Sequence, residues 1–162
     1  MKSEHVILRD TREKNGWDFS SYERCKTVKS RGLKTGDYTV AGLEKSLVIE
    51  RKASTGEIAM NLGQKKNAFE AEMARMSDFR WAYIVCEFSI DDIMSFPENS
   101  GIPRKKWKYM RMNGKFIWRR IRELEETFGV AFLFCNNKED AESRAMRIFD
   151  EVTEILIREQ YY

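Results

Sequence analysis

The stretch "GDYTVAGLEKSLVIERK", residues 36–52, holds two acids and a lysine at a spacing that suits metal chemistry. Asp37 follows a glycine, and thirteen residues after it Glu50, with Arg51 and Lys52, closes an apolar run. Side chains alternate across a strand, so Glu50 and Lys52 point to one face and Arg51 to the other. The segment "AGLEK" has the length and the glycine of a hairpin loop, and antiparallel pairing across it brings Asp37 to the Glu50/Lys52 end. Two carboxylates held there repel each other unless something neutralises them. A divalent cation does so, and oxygen ligands of this kind suit Mg2+ or Mn2+. A lysine beside them can orient or deprotonate a water, or offset charge on a scissile phosphate. The plainer alternative is a solvated hairpin end with a surface ion pair. Three features weigh against it: the acid on the preceding strand, a second acidic cluster "RDTRE" at residues 9–13, and a basic segment farther along the chain.

That segment runs from Arg104 to Arg122, with nine Lys/Arg and no Asp or Glu. The whole chain carries a formal charge of only +3, so the remainder is net negative. A basic run on an acidic body points to a polyanionic partner. Within "IPRKKWKYMRMNGKFIWRR" the cations alternate with Trp107, Tyr109, Phe116 and Trp118. Basic groups neutralise phosphates, and exposed aromatics can stack on unpaired bases. Arg104, Lys105 and Lys106, in a predicted loop, are expected to touch nucleic acid. Lys65 and Lys66, just after Gly63, form a second candidate contact. Trp118, on an amphipathic helix, is expected on the core side, and the alternative for the whole run is that its charges are simply solvated.

At 162 residues the chain is read as one domain, 1–162, with residues 88–116 as a basic loop inside it. No stretch approaches the roughly 20 apolar residues of a membrane span, so no membrane partner is expected. The start, "MKSEHVILRD", lacks the apolar core of a secretory signal. Cys25, Cys86 and Cys135 are far apart with no CxxC pair, and read as reduced thiols of an intracellular protein, cytoplasmic or nuclear. A single histidine, His5, argues against zinc chemistry and His-based proton transfer.

The elements that must position these residues follow from periodicity. "HVILRD" and "RCKTVKS" read as strands, and "GDYTV" with "KSLVIER" as a hairpin. Ile58 and Leu62 open helical spacing that Gly63 interrupts and Phe69, Met73 and Met76 resume. "WAYIVCE" and "GVAFLFC" are short apolar runs of buried strands. Ser89 is placed to cap a short helix with Asp92 three residues on, and "FPENSGIPRKK" is a loop. Ile117, Ile121, Leu124 and Phe128 mark one helical stripe; Ala141, Ala145, Ile148, Val152 and Ile155 mark another. The fold class this implies is α/β: a mixed β-sheet, with an antiparallel meander on one side, parallel strands on the other, and helices on the faces.

"VILRDTRE", "LKTGDYTV" and "VIERK", in this order and at these separations, resemble the XPF/ERCC4-type nuclease domain of the PD-(D/E)XK superfamily, whose signature is GD…ERK. The resemblance covers nearly the whole chain, since "AFEAEMARM" before "WAYIVCE" and the later "ETFGVAFLF" fit the same layout. It implies a restriction-endonuclease-like core and a metal-dependent endonuclease acting on flap, branched or single-strand/duplex junction DNA, in repair, recombination or replication. Carried over by position, Asp37 and Glu50 match the family's metal-binding acids, Lys52 its catalytic lysine and Arg51 the arginine between them. Asp10 and Arg12 match a D-x-R-E strand end, with Glu13 beside them; the alternative for the first two is a structural ion pair, and for Glu13 a solvated position. The family usually carries an Asp four residues after the lysine. Here Gly56 stands in that place with Glu57 next to it, so either Glu57 substitutes or that acid is absent. Relatives often add a helix-hairpin-helix module that grips DNA; this chain is expected to dimerise, to borrow that grip from a partner protein, or to supply it from its basic loop. Two rival readings stand beside the endonuclease. One is a non-catalytic DNA-binding or scaffolding subunit of a nuclease complex, against which the retained GD and ERK acids argue; the other is an exonuclease or RNase of the same superfamily.

Overall fold

A computed structural model of the protein describes residues 3–161. Within them a six-stranded sheet runs in the order β2-β1-β3-β4-β5-β6. The strands are β1 His5–Arg9, β2 Cys25–Ser30, β3 Tyr38–Val40, β4 Leu47–Lys52, β5 Trp81–Cys86 and β6 Ala131–Phe134. β1, β3 and β4 pair antiparallel, while β4, β5 and β6 pair parallel. The expected meander is therefore β1–β3–β4, and β2 departs from it. It lies outside β1 and parallel to it. A parallel neighbour needs a crossover of a dozen or more residues, and residues 10–24 supply one, burying Trp17 and Phe19 beneath the sheet on the way.

β4 is buried at five of its six positions because both of its faces are covered. Strands in that situation read as continuous apolar runs, as "LVI" does. On one face Val48 packs with α1 (Thr55–Leu62), α2 (Lys66–Met76) and α4 (Gly114–Phe128), through Ile58, Phe69, Met73, Ile117 and Ile121. On the other, Leu47 and Ile49 pack with Trp17, Phe19, Tyr38 and α5 (Lys138–Tyr161). Alternation along β4 then fixes the outcome for its charged end. Glu50 and Lys52 belong to the α1/α2 face, and Arg51 to the α5 face.

α4 forms where the 3.6-residue stripe predicts it. Asn113 caps it by accepting a hydrogen bond from the Phe116 amide at 2.9 Å, and Gly129 ends it in the left-handed conformation. Trp118 lies half-buried against Phe134, its ring centroid 5.7 Å away, on the core side as expected. α5 buries Ala141, Ala145, Ile148 and Val152, but Ile155 is exposed. A helix of 24 residues is about 36 Å long, well beyond strands of about 20 Å, so its last turns overhang the sheet.

After β5 comes α3 (Ile90–Met94), begun by a capping box in which Ser89 and Asp92 satisfy each other's backbone amides. Residues 104–109, expected as loop, instead form a 3-10 helix with exposed Arg104, Lys105 and Lys106. No helix among the described residues is long and apolar enough to cross a membrane.

Candidate active site

The register of three strands sets the acids in a row. Tyr38 pairs with Ile49 across β3/β4, so the next step outward puts Asp37 opposite Glu50. Arg9 pairs with Tyr38 across β1/β3, so Asp10 comes opposite Asp37. Backbone bonds hold this order: the Asp10 amide donates to the Asp37 carbonyl and the Asp37 amide to the Ile49 carbonyl, both at 2.8 Å. The Arg51 amide donates to Asp37 Oδ2 at 2.8 Å, which fixes the plane of that carboxyl. Gly36 permits the approach. Its φ is +78°, and a Cβ there would lie 2.2 Å from the Val48 side chain.

A cavity of about 290 Å3 opens over this row, lined by Asp10, Glu13, Asp37, Glu50 and Glu72, with Arg12, Lys34 and Arg75 at its rim. Lys52 Nζ lies 3.1 Å from Glu50 Oε2 and over the Phe69 ring, 5.2 Å from its centroid. Burial pushes the Asp37 carboxyl up to about 9, aided by the Glu50 charge and a hydrogen bond to Glu50. Burial and the same Glu50 charge push Glu72 up to about 7. Burial alone would lower Lys52, but the charges of Glu50, Glu57 and Glu72 outweigh it and hold the ammonium above its ordinary value. Asp10 behaves oppositely: burial works to raise it, and hydrogen bonds from Leu33 and Arg12 prevail and lower it.

Among the described residues no three His, Cys, Asp or Glu side chains converge tightly enough to hold an ion by themselves. Asp37 and Glu50 do converge, and the Glu50 charge raises the cost of ionising Asp37. Such a pair fits Mg2+ or Mn2+, which take one or two carboxylates and complete their shell with water and substrate phosphate.

Arg51 stands apart from the cavity. Its guanidinium is buried between Glu13 and Glu87, donating to Glu13 at 3.0 and 3.2 Å and to Glu87 at 3.1 Å. Trp17 Nε1 donates to the second Glu87 oxygen at 2.8 Å. Glu13 is thus gripped from behind while its side chain lines the cavity wall, and it is not a solvated position. Asp10 and Arg12 form an ion pair at 2.8 Å, and Asp10 Oδ1 also accepts the Leu33 amide at 2.8 Å. Asp10 thereby shapes the loop before β3 as well as lining the cavity.

Gly56 has a structural reason. A Cβ there would sit 2.4 Å from the Ser100 carbonyl oxygen, because the loop after α3 folds down onto the start of α1 and accepts the Gly56 amide at 3.2 Å. Glu57 is occupied locally: its carboxylate accepts the Ala53 amide at 2.8 Å while its own amide donates to Ser54 at 3.1 Å, capping α1. Gly56→Asp is expected to lower stability by about 1–3 kcal/mol by overpacking and to leave Mn2+ affinity unimproved. Thermal melts with and without Mn2+ check both.

Lys65 and Lys66 are exposed at the start of α2, and Arg104, Lys105 and Lys106 are exposed on the 3-10 helix. None of the five lines the cavity. Through Ser100 and Ile102, the 3-10 helix follows directly from the loop that covers Gly56, and Trp107 Nε1 donates to the Ile102 carbonyl at 2.9 Å. Sequence reasoning passed over Glu72, Arg75 and Lys34. Glu72 and Arg75 sit three residues apart beside Met73 and Met76, a polar edge on the apolar stripe that was the available signal.

A mixed sheet with helices on both faces and acids aligned at its strand ends is a restriction-endonuclease-like fold. Two solved structures share it. XPF from Aeropyrum pernix is 15% identical, with 93% of this chain and 60% of that one covered at a TM-score of 0.62. XPF from Aeropyrum pernix in complex with DNA is 16% identical, with 93% and 66% covered at a TM-score of 0.63. At these identities the likeness is one of fold, and the chain spans under two thirds of the length of both. No family model and no curated protein matches the chain.

Proposed function

We propose that the chain is a Mg2+- or Mn2+-dependent DNA endonuclease that hydrolyses phosphodiester bonds in flap, branched or junction DNA. The observation that carries this reading is the strand register: Asp37 opposite Glu50, both lining an open cavity, with Lys52 buried behind Glu50 on the same face of β4. The fold shared with XPF from Aeropyrum pernix, one of those structures being a complex with DNA, supports it. So do the exposed cations Arg104, Lys105 and Lys106, with Lys65 and Lys66 as further phosphate contacts.

In this reading Asp37 and Glu50 hold the cation, and the Arg51 amide keeps Asp37 in a fixed orientation. Bound there, the cation supplies Lewis-acid polarisation of the phosphate and a more acidic water. Lys52, kept cationic by the acids around it, offsets the negative charge that grows on the phosphate in the transition state. Lys34 and Arg75 at the rim draw the phosphate in, and Arg51 acts as a positioning residue through Glu13.

The test is incubation with labelled linear duplex, single-strand, flap, four-way-junction and closed circular DNA, with Mn2+ or with EDTA. Metal-dependent cutting of branched and circular substrates is expected. Cutting that spares the closed circle would replace the endonuclease with an exonuclease. Binding without cutting would favour a non-catalytic subunit.

A further inference from the structure

The cavity over the acids does not end at them. Lys34, Thr35 and Arg75 also line an adjoining trough of about 910 Å3, which passes the segment before β3 and the β3–β4 turn to the end of α2. Leu33 and Phe79, both half-buried, give it an apolar lining, and Arg31, Lys34, Lys45 and Arg75 give it cations. Among the described residues, Glu44 and Asp78 are the only opposing charges on its walls. Arg31 lies 3.6 Å from Glu44, whereas Lys34, Lys45 and Arg75 make no ion pair among the described residues. Gly32 and Gly42 also line the trough, and a Cβ added to either meets nothing within 4 Å.

We propose that this trough is the path of the DNA strand that continues from the scissile phosphate. Surface cations along an apolar channel match a strand in both of its parts, the phosphates on the cations and the base or sugar faces against Phe79 and Leu33. The trough is continuous with the acids through residues the two cavities share, so a strand lying in it delivers its phosphate to Asp37 and Glu50. None of its four cations belongs to the basic run 104–122, which leaves that run for a different part of a branched substrate. The inference rests on the nuclease reading of the acids and adds to it the direction in which the strand leaves them.

Gly32→Glu combined with Lys45→Glu tests it. Both positions are exposed, neither lines the acidic cavity, and a side chain at position 32 enters open space, so the fold is retained. Binding of labelled junction DNA is followed by fluorescence anisotropy over a range of salt, with thermal melts to confirm folding. The expected result is a loss of affinity of about tenfold or more at low salt and a salt slope shallower by about 1–2. Gly32→Ala binds as wild type does. A folded double variant with wild-type affinity and slope would overturn the path while leaving the nuclease in place. A wild-type protein that neither binds nor cuts DNA would remove both.

Discussion

Replacing Lys52 with Met is expected to slow metal-dependent cleavage at saturating DNA by about 10²–10⁴-fold while changing DNA affinity only a few-fold. The ammonium sits 3.1 Å from Glu50, which lines the cavity, and in the proposed reaction its charge offsets the charge that grows on the phosphate. A methionine keeps the contact with Phe69 and the bulk of the stem but supplies no charge. The loss is then expected to fall on the rate of the chemical step, because the cations proposed to contact DNA lie elsewhere. Single-turnover kinetics with Mn2+ separates the two quantities. A variant that cuts within a few-fold of wild type would take Lys52 out of the chemistry and leave it as the counter-ion of Glu50.

Arg51→Met should instead appear in stability. Arg51, Glu13 and Glu87 have side chains no more than 9% exposed. Removing the guanidinium leaves two buried carboxylates unpaired, which typically costs about 3–5 kcal/mol. For a chain of this size that is a fall in melting temperature of about 6–20 °C. Arg51→Lys should recover only part of it, because one ammonium cannot reproduce the forked contacts to Glu13 on one side and Glu87 on the other. Thermal melts of the two variants decide the matter. If Arg51→Met melts with the wild type, the ion pairs contribute nothing and the role of Arg51 lies elsewhere.

Much of the centre was legible because it depends on short-range rules. Strand alternation assigned Glu50 and Lys52 to one face and Arg51 to the other, and hairpin pairing brought Asp37 to Glu50. What lay beyond reach depends on how elements pack. The phase of α2 against the sheet, set by Phe69, Met73 and Met76, is what turns Glu72 and Arg75 into the cavity. The partner that balances Arg51, Glu87, follows β5, thirty-six positions away in sequence. The parallel placement of β2 comes from a crossover whose buried Trp17 and Phe19 carry no strand or helix period. Gly56 looked like a missing acid, and the closeness of Ser100 that excludes a side chain there is a tertiary contact.

Calorimetric titration of Mn2+ into the metal-free protein, at pH 7 in two buffers of different ionisation enthalpy, tests the central claim most directly. In the fold Asp37 is pushed up to about 9 from an ordinary 3.8, by burial and by Glu50. Between those values the folded chain holds a proton that the unfolded chain has released, so metal-free stability falls as pH rises through that window. A cation at Asp37 and Glu50 displaces that proton. The expected result is Mn2+ binding that releases close to one proton per chain, strengthens toward pH 9, and is weakened with its proton release lost in Asp37→Asn. Mn2+ that fails to bind, or binds Asp37→Asn as it binds wild type, would contradict a metal centre built on these two acids.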